Sequence, residues 1–244
     1  LMSALKPLGR SAKDFGETAY KLALGGCPLI KDDHSLFNQS YAPFKDRVKA
    51  CVDSVNNANT KTGGRSLYIA NCTADSMEFL ERAMTAQELG AGGIMAAPGL
   101  LGLSIIRELS SAPDFHLPIF LHPCFSGPLV LSADSGVSPF CYYGQFSRLA
   151  GADAAIFTSF GGRFPFTEEV CRKICDGTET EMGGLRSIFP VPSGGMKWQL
   201  FKKMVQVYGP DAIFLVGGAL LTESDDLTAN MHFYFEKLNE AVNK

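Results

Sequence analysis

The sequence predicts a single (β/α)8 barrel, and three observations lead to it. Eight short apolar runs recur roughly 25 to 40 residues apart, each followed by a stretch with helical character. The phrases "ELGAGGIMAAP", "LAGADAAIFTSF" and "VYGPDAIFLVGG" each read as a helix end, a tight turn and a buried parallel strand. The length, 244 residues, suits one such barrel. An open doubly wound sheet is the competing arrangement of the same alternation.

The strands are expected at 2–6, 29–33, 67–71, 93–97, 119–122, 155–159, 188–192 and 213–216. Ser11 is placed to cap a helix running to Leu24, and Asp75 or Ser76 one running to Leu89. Thr167, Glu168 and Glu169 open another, with acidic residues against the helix dipole. Gly90, Gly151 and Gly209 follow helix ends, where a left-handed residue is wanted. Linkers and low-complexity tracts are absent, so residues 1–244 read as one barrel domain. The chain already reads as a strand at Leu1-Met2-Ser3-Ala4, as expected of a domain cut from something longer or lacking an upstream domain.

Composition excludes several classes. Apolar residues make up 46%, enough for a large core, and the net charge of −3 argues against nucleic acid as partner. No apolar run reaches the length of a membrane span. Seven cysteines without CxxC spacing speak against a disulfide framework or structural zinc, and the expected setting is cytoplasmic and reducing. Cys171 and Cys175, four apart on a helix, read as packing residues, as does Trp198.

A barrel carries its chemistry at the C-terminal ends of its strands. Lys6 ends the first strand, Lys31-Asp32-Asp33-His34 the second and Asn71 the third. His122 and Cys124 follow the fifth, Gly161-Gly162-Arg163 the sixth, Ser193-Gly194-Gly195 the seventh and Gly217-Gly218 the eighth. Strand alternation points Lys31 and Asp33 one way and Asp32 the other. Lys31 and Asp33 are then either a self-neutralising pair or, with His34, a metal or acid–base cluster. The glycine turns "VPSGGM" and "LVGGAL" stand where barrels bind phosphate, their backbone N–H groups open to an anion. In "FGGRF", Arg163 is a candidate clamp for a second anion on a mobile loop, or an ordinary surface arginine. Lys6 is either a desolvated general base or a lysine reaching water along its own stem.

Taken together, a Lys-Pro near the start, "GG" followed by "IKDD", "LHP", a glycine-rich loop with a cation, "SGG" and a final "GG" resemble the barrel domain of the RuBisCO superfamily over nearly the whole chain. The segment "ALGGCPLIKDDHSLFNQSYAPFKDRV" carries the most specific part of that likeness. The resemblance implies that Lys31 corresponds to the lysine that RuBisCO carbamylates, and Asp33 to a magnesium ligand. It makes Lys6 the lysine tied to proton transfer in enolisation, and sets Arg163 where the mobile-loop lysine belongs. Ser193, Gly194, Gly195, Gly217 and Gly218 match substrate and phosphate contacts. The candidate set is thus Lys6, Lys31, His122 and Arg163 for catalysis. Asn71, Gly162 and the glycine turns are the candidates for phosphate, and Lys31, Asp33 and His34 for Mg2+.

The departures matter as much. His34 stands where the carboxylase has a glutamate, which weakens a hard-cation site. Cys124 and Phe125 replace a histidine-arginine pair, and Lys-Pro-Leu-Gly is one residue shorter than in the carboxylase. The chain therefore resembles the RuBisCO-like proteins rather than a CO2-fixing enzyme. The expected activity is isomerase, enolase or decarboxylase chemistry on a phosphorylated ketose through an enediolate. The alternatives are a catalytically inactive sugar-phosphate-binding or assembly barrel and, behind it, a true carboxylase. The family also implies a homodimer and an N-terminal α+β domain not represented in these residues.

Overall fold

The computed structural model describes residues 1–132, 134–162 and 164–243. Its eight strands are β1 (Met2–Ala4), β2 (Leu29–Lys31), β3 (Leu67–Asn71), β4 (Gly93–Ala96), β5 (Ile119–Leu121), β6 (Ala154–Thr158), β7 (Phe189–Ser193) and β8 (Leu215–Val216). These strands pair in parallel, in the order β7-β6-β5-β4-β3-β2-β1-β8. The (β/α)8 barrel holds, with β1 and β2 ending at Ala4 and Lys31, short of the expected Lys6 and Asp33, β4 and β5 ending one residue early, β6 and β7 starting one residue from the expected positions and β8 confined to two residues.

The seam between β7 and β8 has a covalent cause. Phe189 N donates to Asp153 O, so the odd-numbered N–H groups of β7 point to β6 and the even-numbered ones to β8. The even positions are Pro190 and Pro192, which have no N–H to give. The cylinder is closed instead by Ile213 N donating to Pro190 O at 3.0 Å.

One longer helix follows each strand: α1 (Ala12–Leu24), α2 (Phe44–Thr62), α3 (Ser76–Glu88), α4 (Leu103–Ser111), α5 (π-helical Phe140–Phe146 continuing into Ser147–Leu149), α6 (Glu168–Glu179), α7 (Phe201–Tyr208) and α8 (Leu227–Val242), with short helical turns at Pro98–Leu101, Gly127–Val130, Trp198–Leu200 and Gly218–Leu221. Ser11 caps α1 in a reciprocal pair with Asp14, and Thr167 Oγ1 accepts from Val170 N at the start of α6. Asp75 stands at the N-cap of α3 without a side-chain cap bond. Gly90, Gly151 and Gly209 have the expected positive φ. Cys171 and Cys175 are buried on α6, and Trp198 packs edge-on against Phe233 of α8.

Two cores result. The larger lies between barrel and helices, and the smaller fills the cylinder with Met2, Ile69, Met95, Phe120, Ile156, Val191 and Leu215. Side chains alternate along a strand, so each inner residue predicts the next inward position two residues on. Met2 leads through Ala4 to Lys6, Ile69 to Asn71, Phe120 to His122, Ile156 to Thr158, Val191 to Ser193 and Leu215 to Gly217. On β2 the inward series is Leu29, Lys31 and Asp33. The polar end of the barrel is thus a continuation of its apolar filling.

Candidate active site

The second βα loop is built around an outward-facing charge. Asp32 is fully buried between β2 and α2, where Arg47 Nε contacts both carboxylate oxygens at 3.2 Å. Tyr68 OH donates to Asp32 at 2.7 Å and Asn71 N at 3.0 Å. Arg47 spends its remaining donors on the carbonyls of Ala42 and Phe37, both at 2.9 Å. With every polar group satisfied, this buried pair pins the loop between β2 and α2 rather than straining it. Asn71 adds a second anchor, its Nδ2 donating to the carbonyls of His34 and Leu36 at 3.0 Å.

That scaffold holds the inward groups. Asp33 is almost wholly buried and pairs with Lys6 Nζ, while Ser35 N donates to Asp33 Oδ1 at 3.0 Å and His34 Nδ1 lies 3.5 Å from it. Burial alone pushes the Asp33 carboxyl up, but Lys6, the Ser35 amide and His34 outweigh it and hold the group below its usual value. Lys31 is 2% exposed and donates to the Asp32 carbonyl at 2.9 Å. Burial pulls its amine down to about 8, despite the opposing pull of Asp33 and Asp32.

The His122 ring stacks on His34, with centroids 4.6 Å apart and planes within 9°. Cys124 N donates to His122 Nδ1 at 3.1 Å, so the ring proton belongs on Nε2. Burial first, then Lys31, His34 and Lys6, push His122 well below the usual imidazole range. It is a neutral ring with one outward donor.

The glycine turns face the same space. Ser193 Oγ donates to Phe157 O at 2.9 Å, fixing the start of the β7 turn, and Gly194 and Gly195 follow at φ 87° and 85°. Gly162 supports that turn from behind, since a Cβ on it would fall 2.2 Å from Gly194 O. Gly217 and Gly218 differ: a Cβ on either meets nothing within 4 Å, because the room beside them belongs to the cavity.

A cavity of about 780 Å3 joins these parts. Lys6, Lys31, Asp33, His34, His122, Ser193, Gly194, Gly195, Gly217 and Gly218 all line it. Asn71 and Gly162 do not; each holds a lining loop in place. Arg163 lies outside the described residues. Sequence reasoning passed over the Asp32–Arg47 pair and the lining residues Ser126, Tyr143 and Lys197. A signal for the pair existed, since Arg47 interrupts the apolar stripe of Phe44, Val48, Cys51, Val52 and Val55 on α2. None marked Tyr143, which a π-helical turn delivers.

The donor set does not suit Mg2+ as the side chains stand. It offers one carboxylate, already held by Lys6, one imidazole and an amine, where Mg2+ takes an octahedral shell of oxygens. Among the described residues, no three His, Cys, Asp or Glu side chains group to hold a metal ion.

Comparison with known proteins agrees with the barrel fold. The profile of the family described as ribulose bisphosphate carboxylase large chain, catalytic domain, matches residues 2–230. The chain is 36% identical over 230 residues to the 5-methylthioribulose-1-phosphate isomerase of Rhodospirillum rubrum, covering 93% of this chain and 59% of that protein. It is 35% identical over 221 residues to the 2,3-diketo-5-methylthiopentyl-1-phosphate enolase of Geobacillus thermodenitrificans, covering 90% and 54%. The crystal structure of a Rubisco-like protein from Rhodopseudomonas palustris superposes with a TM-score of 0.88 at 30% identity, over 98% of this chain and 63% of that one. The chain thus spans a little over half the length of these relatives. No described helix is long and apolar enough to cross a membrane. With the profile matching nearly end to end and the barrel superposing, the chain belongs to the ribulose bisphosphate carboxylase large-chain catalytic-domain family, as a RuBisCO-like member.

Proposed function

We propose that the chain is the catalytic barrel of a RuBisCO-like enzyme that moves a proton next to the carbonyl of a phosphorylated ketose, by way of an enediolate. One observation carries the reading: a buried lysine near neutrality, a neutral imidazole donor and two glycine turns open into a single cavity. Phosphate binds at Gly194-Gly195 and Gly217-Gly218, whose backbones admit an anion without side-chain obstruction.

Of the two lysines, Lys31 is the better base. The Lys6 amine is engaged by the Asp33 carboxylate, whereas the Lys31 amine is half neutral at about pH 8. In this scheme Lys31 takes the proton α to the carbonyl and returns it to the neighbouring carbon. His122 Nε2–H donates to the oxygen on which charge develops, and Lys6 adds a fixed positive charge. Magnesium on Lys31, Asp33 and His34 belongs to this proposal only for a chain carbamylated at Lys31, where the carbamate adds an anionic oxygen group; no step above depends on it.

The names of the relatives supply the finer proposal, a methylthio-pentose phosphate. Val130, Leu131, Phe164, Phe166 and Met196 line the cavity and suit a thioether tail. Exposed Leu8, Leu100, Phe125 and Leu129 stand in the connections that follow β1, β4 and β5, at the same barrel end, and we propose that a homodimer covers them, which light scattering tests. The activity is tested by supplying 5-methylthioribulose 1-phosphate or the 2,3-diketo phosphate and following products by 31P NMR. Turnover of either supports the reading. Tight binding with no product from either would leave a binding barrel instead.

A further inference from the structure

Among the hydroxyl residues that line the cavity, Ser126 and Tyr143 are paired with each other. Both residues are buried, Ser126 at 2% and Tyr143 at 5% exposure, so water does not satisfy them freely. Ser126 Oγ lies 2.6 Å from the Pro123 carbonyl and 2.7 Å from Tyr143 OH. A carbonyl only accepts, so at that separation the single serine proton lies between Ser126 and Pro123. The tyrosine proton must then point at Ser126. Both protons are spent inside the protein, and what the pair has left to offer a ligand is lone pairs. The ring is braced by Tyr142 at 5.2 Å, Phe166 at 6.1 Å and Phe157 at 6.4 Å, so the phenol does not swing away. Burial pushes Tyr143 up to about 12, which keeps it neutral at physiological pH.

We propose that Tyr143, oriented by Ser126, is a specificity-determining residue that accepts a hydrogen bond from a hydroxyl on the carbon chain of the bound sugar phosphate. This rests on the cavity being a phosphorylated-ketose site, and it goes further by stating which oxidation level the site prefers. A station that only accepts gains from a hydroxyl and is repelled by a carbonyl oxygen at the same carbon. The site therefore favours a hydroxylated ketose phosphate over its 2,3-diketo counterpart, by about tenfold for one hydrogen bond mispaired in a buried place.

The test measures calorimetric affinities of this chain and its Tyr143→Phe and Ser126→Ala variants. The ligands are 5-methylthioribulose 1-phosphate, its 3-deoxy and 4-deoxy analogues and the 2,3-diketo phosphate. Tyr143→Phe is expected to weaken the parent compound about tenfold and to leave one deoxy analogue within about twofold of wild type. Ser126→Ala frees the phenol proton for donation, so the preference for hydroxyl over diketone is expected to fall by about tenfold. Equal losses on every ligand with Tyr143→Phe, or an unchanged preference with Ser126→Ala, overturn this inference alone. Failure of the wild-type chain to bind any of the four overturns the ketose-phosphate reading beneath it and the inference with it.

Discussion

Replacing Lys31 with methionine removes a buried ammonium while keeping most of the stem that fills the end of the barrel. The amine is drawn from 10.5 to about 8 chiefly by burial. That displacement corresponds to about 3 kcal/mol of destabilisation carried by the folded, protonated chain. Against it stands the bond from Lys31 Nζ to the Asp32 carbonyl, worth about 1 kcal/mol. At pH 7 the Lys31→Met variant should therefore be more stable by about 2 kcal/mol, or about 4 °C in Tm for a chain of this size. The sign depends on pH in a defined window. Below about 8 the lysine is protonated whether folded or not, and the native state bears the whole penalty. Between about 8 and 10.5 only the unfolded chain stays protonated, so wild-type stability rises with pH and the advantage of the variant shrinks. Urea denaturation of both proteins from pH 7 to pH 10 reads this directly, because the other groups titrate alike and cancel in the difference. A variant less stable at pH 7, or a gap that does not change with pH, would refute the reasoning.

Other outcomes follow from the same geometry. Gly218→Ala should leave Tm unchanged or slightly raised, since the methyl meets no protein atom, yet weaken ligand phosphate binding about tenfold by titration calorimetry. Asp32→Asn leaves Arg47 as an unpaired buried cation and should cost about 3–5 kcal/mol in denaturant unfolding; a loss below about 1 kcal/mol contradicts the anchoring role. Asp33→Asn removes the carboxylate that holds the Lys31 amine up, so the midpoint of proton exchange against pH should move to lower pH, and an unmoved midpoint counts against Lys31 as base. Magnesium alone should not raise Tm, whereas magnesium with bicarbonate should, if the amine must become a carbamate before Mg2+ is held.

The barrel was legible because its grammar is local. Apolar runs bounded by turn residues give strands, and Ser11, Thr167 and the glycines after helix ends give boundaries. That Lys31 and Asp33 share a face, opposite Asp32, was legible too, since alternation along a strand needs only the sequence; that this face is the inner one was not. What pairs with what was not. Nothing in the order of residues says that Asp33 meets Lys6 rather than Lys31, or that Asn71 turns its amide to the carbonyls of His34 and Leu36. Those pairings depend on how adjacent strands are staggered, a property of the closed cylinder. Tyr143 lay deeper still, because a π-helical segment changes which residues share a face and defeats any fixed helical period.

The most direct measurement is solvent exchange. The chain, incubated in D2O with 5-methylthioribulose 1-phosphate, should place deuterium on a carbon next to the carbonyl, faster as pH rises through about 8, and should lose that ability when Lys31 is replaced by methionine. Bound ligand that keeps all its carbon-bound protons, or exchange that survives Lys31→Met undiminished, would contradict the proton-transfer role given to this cavity.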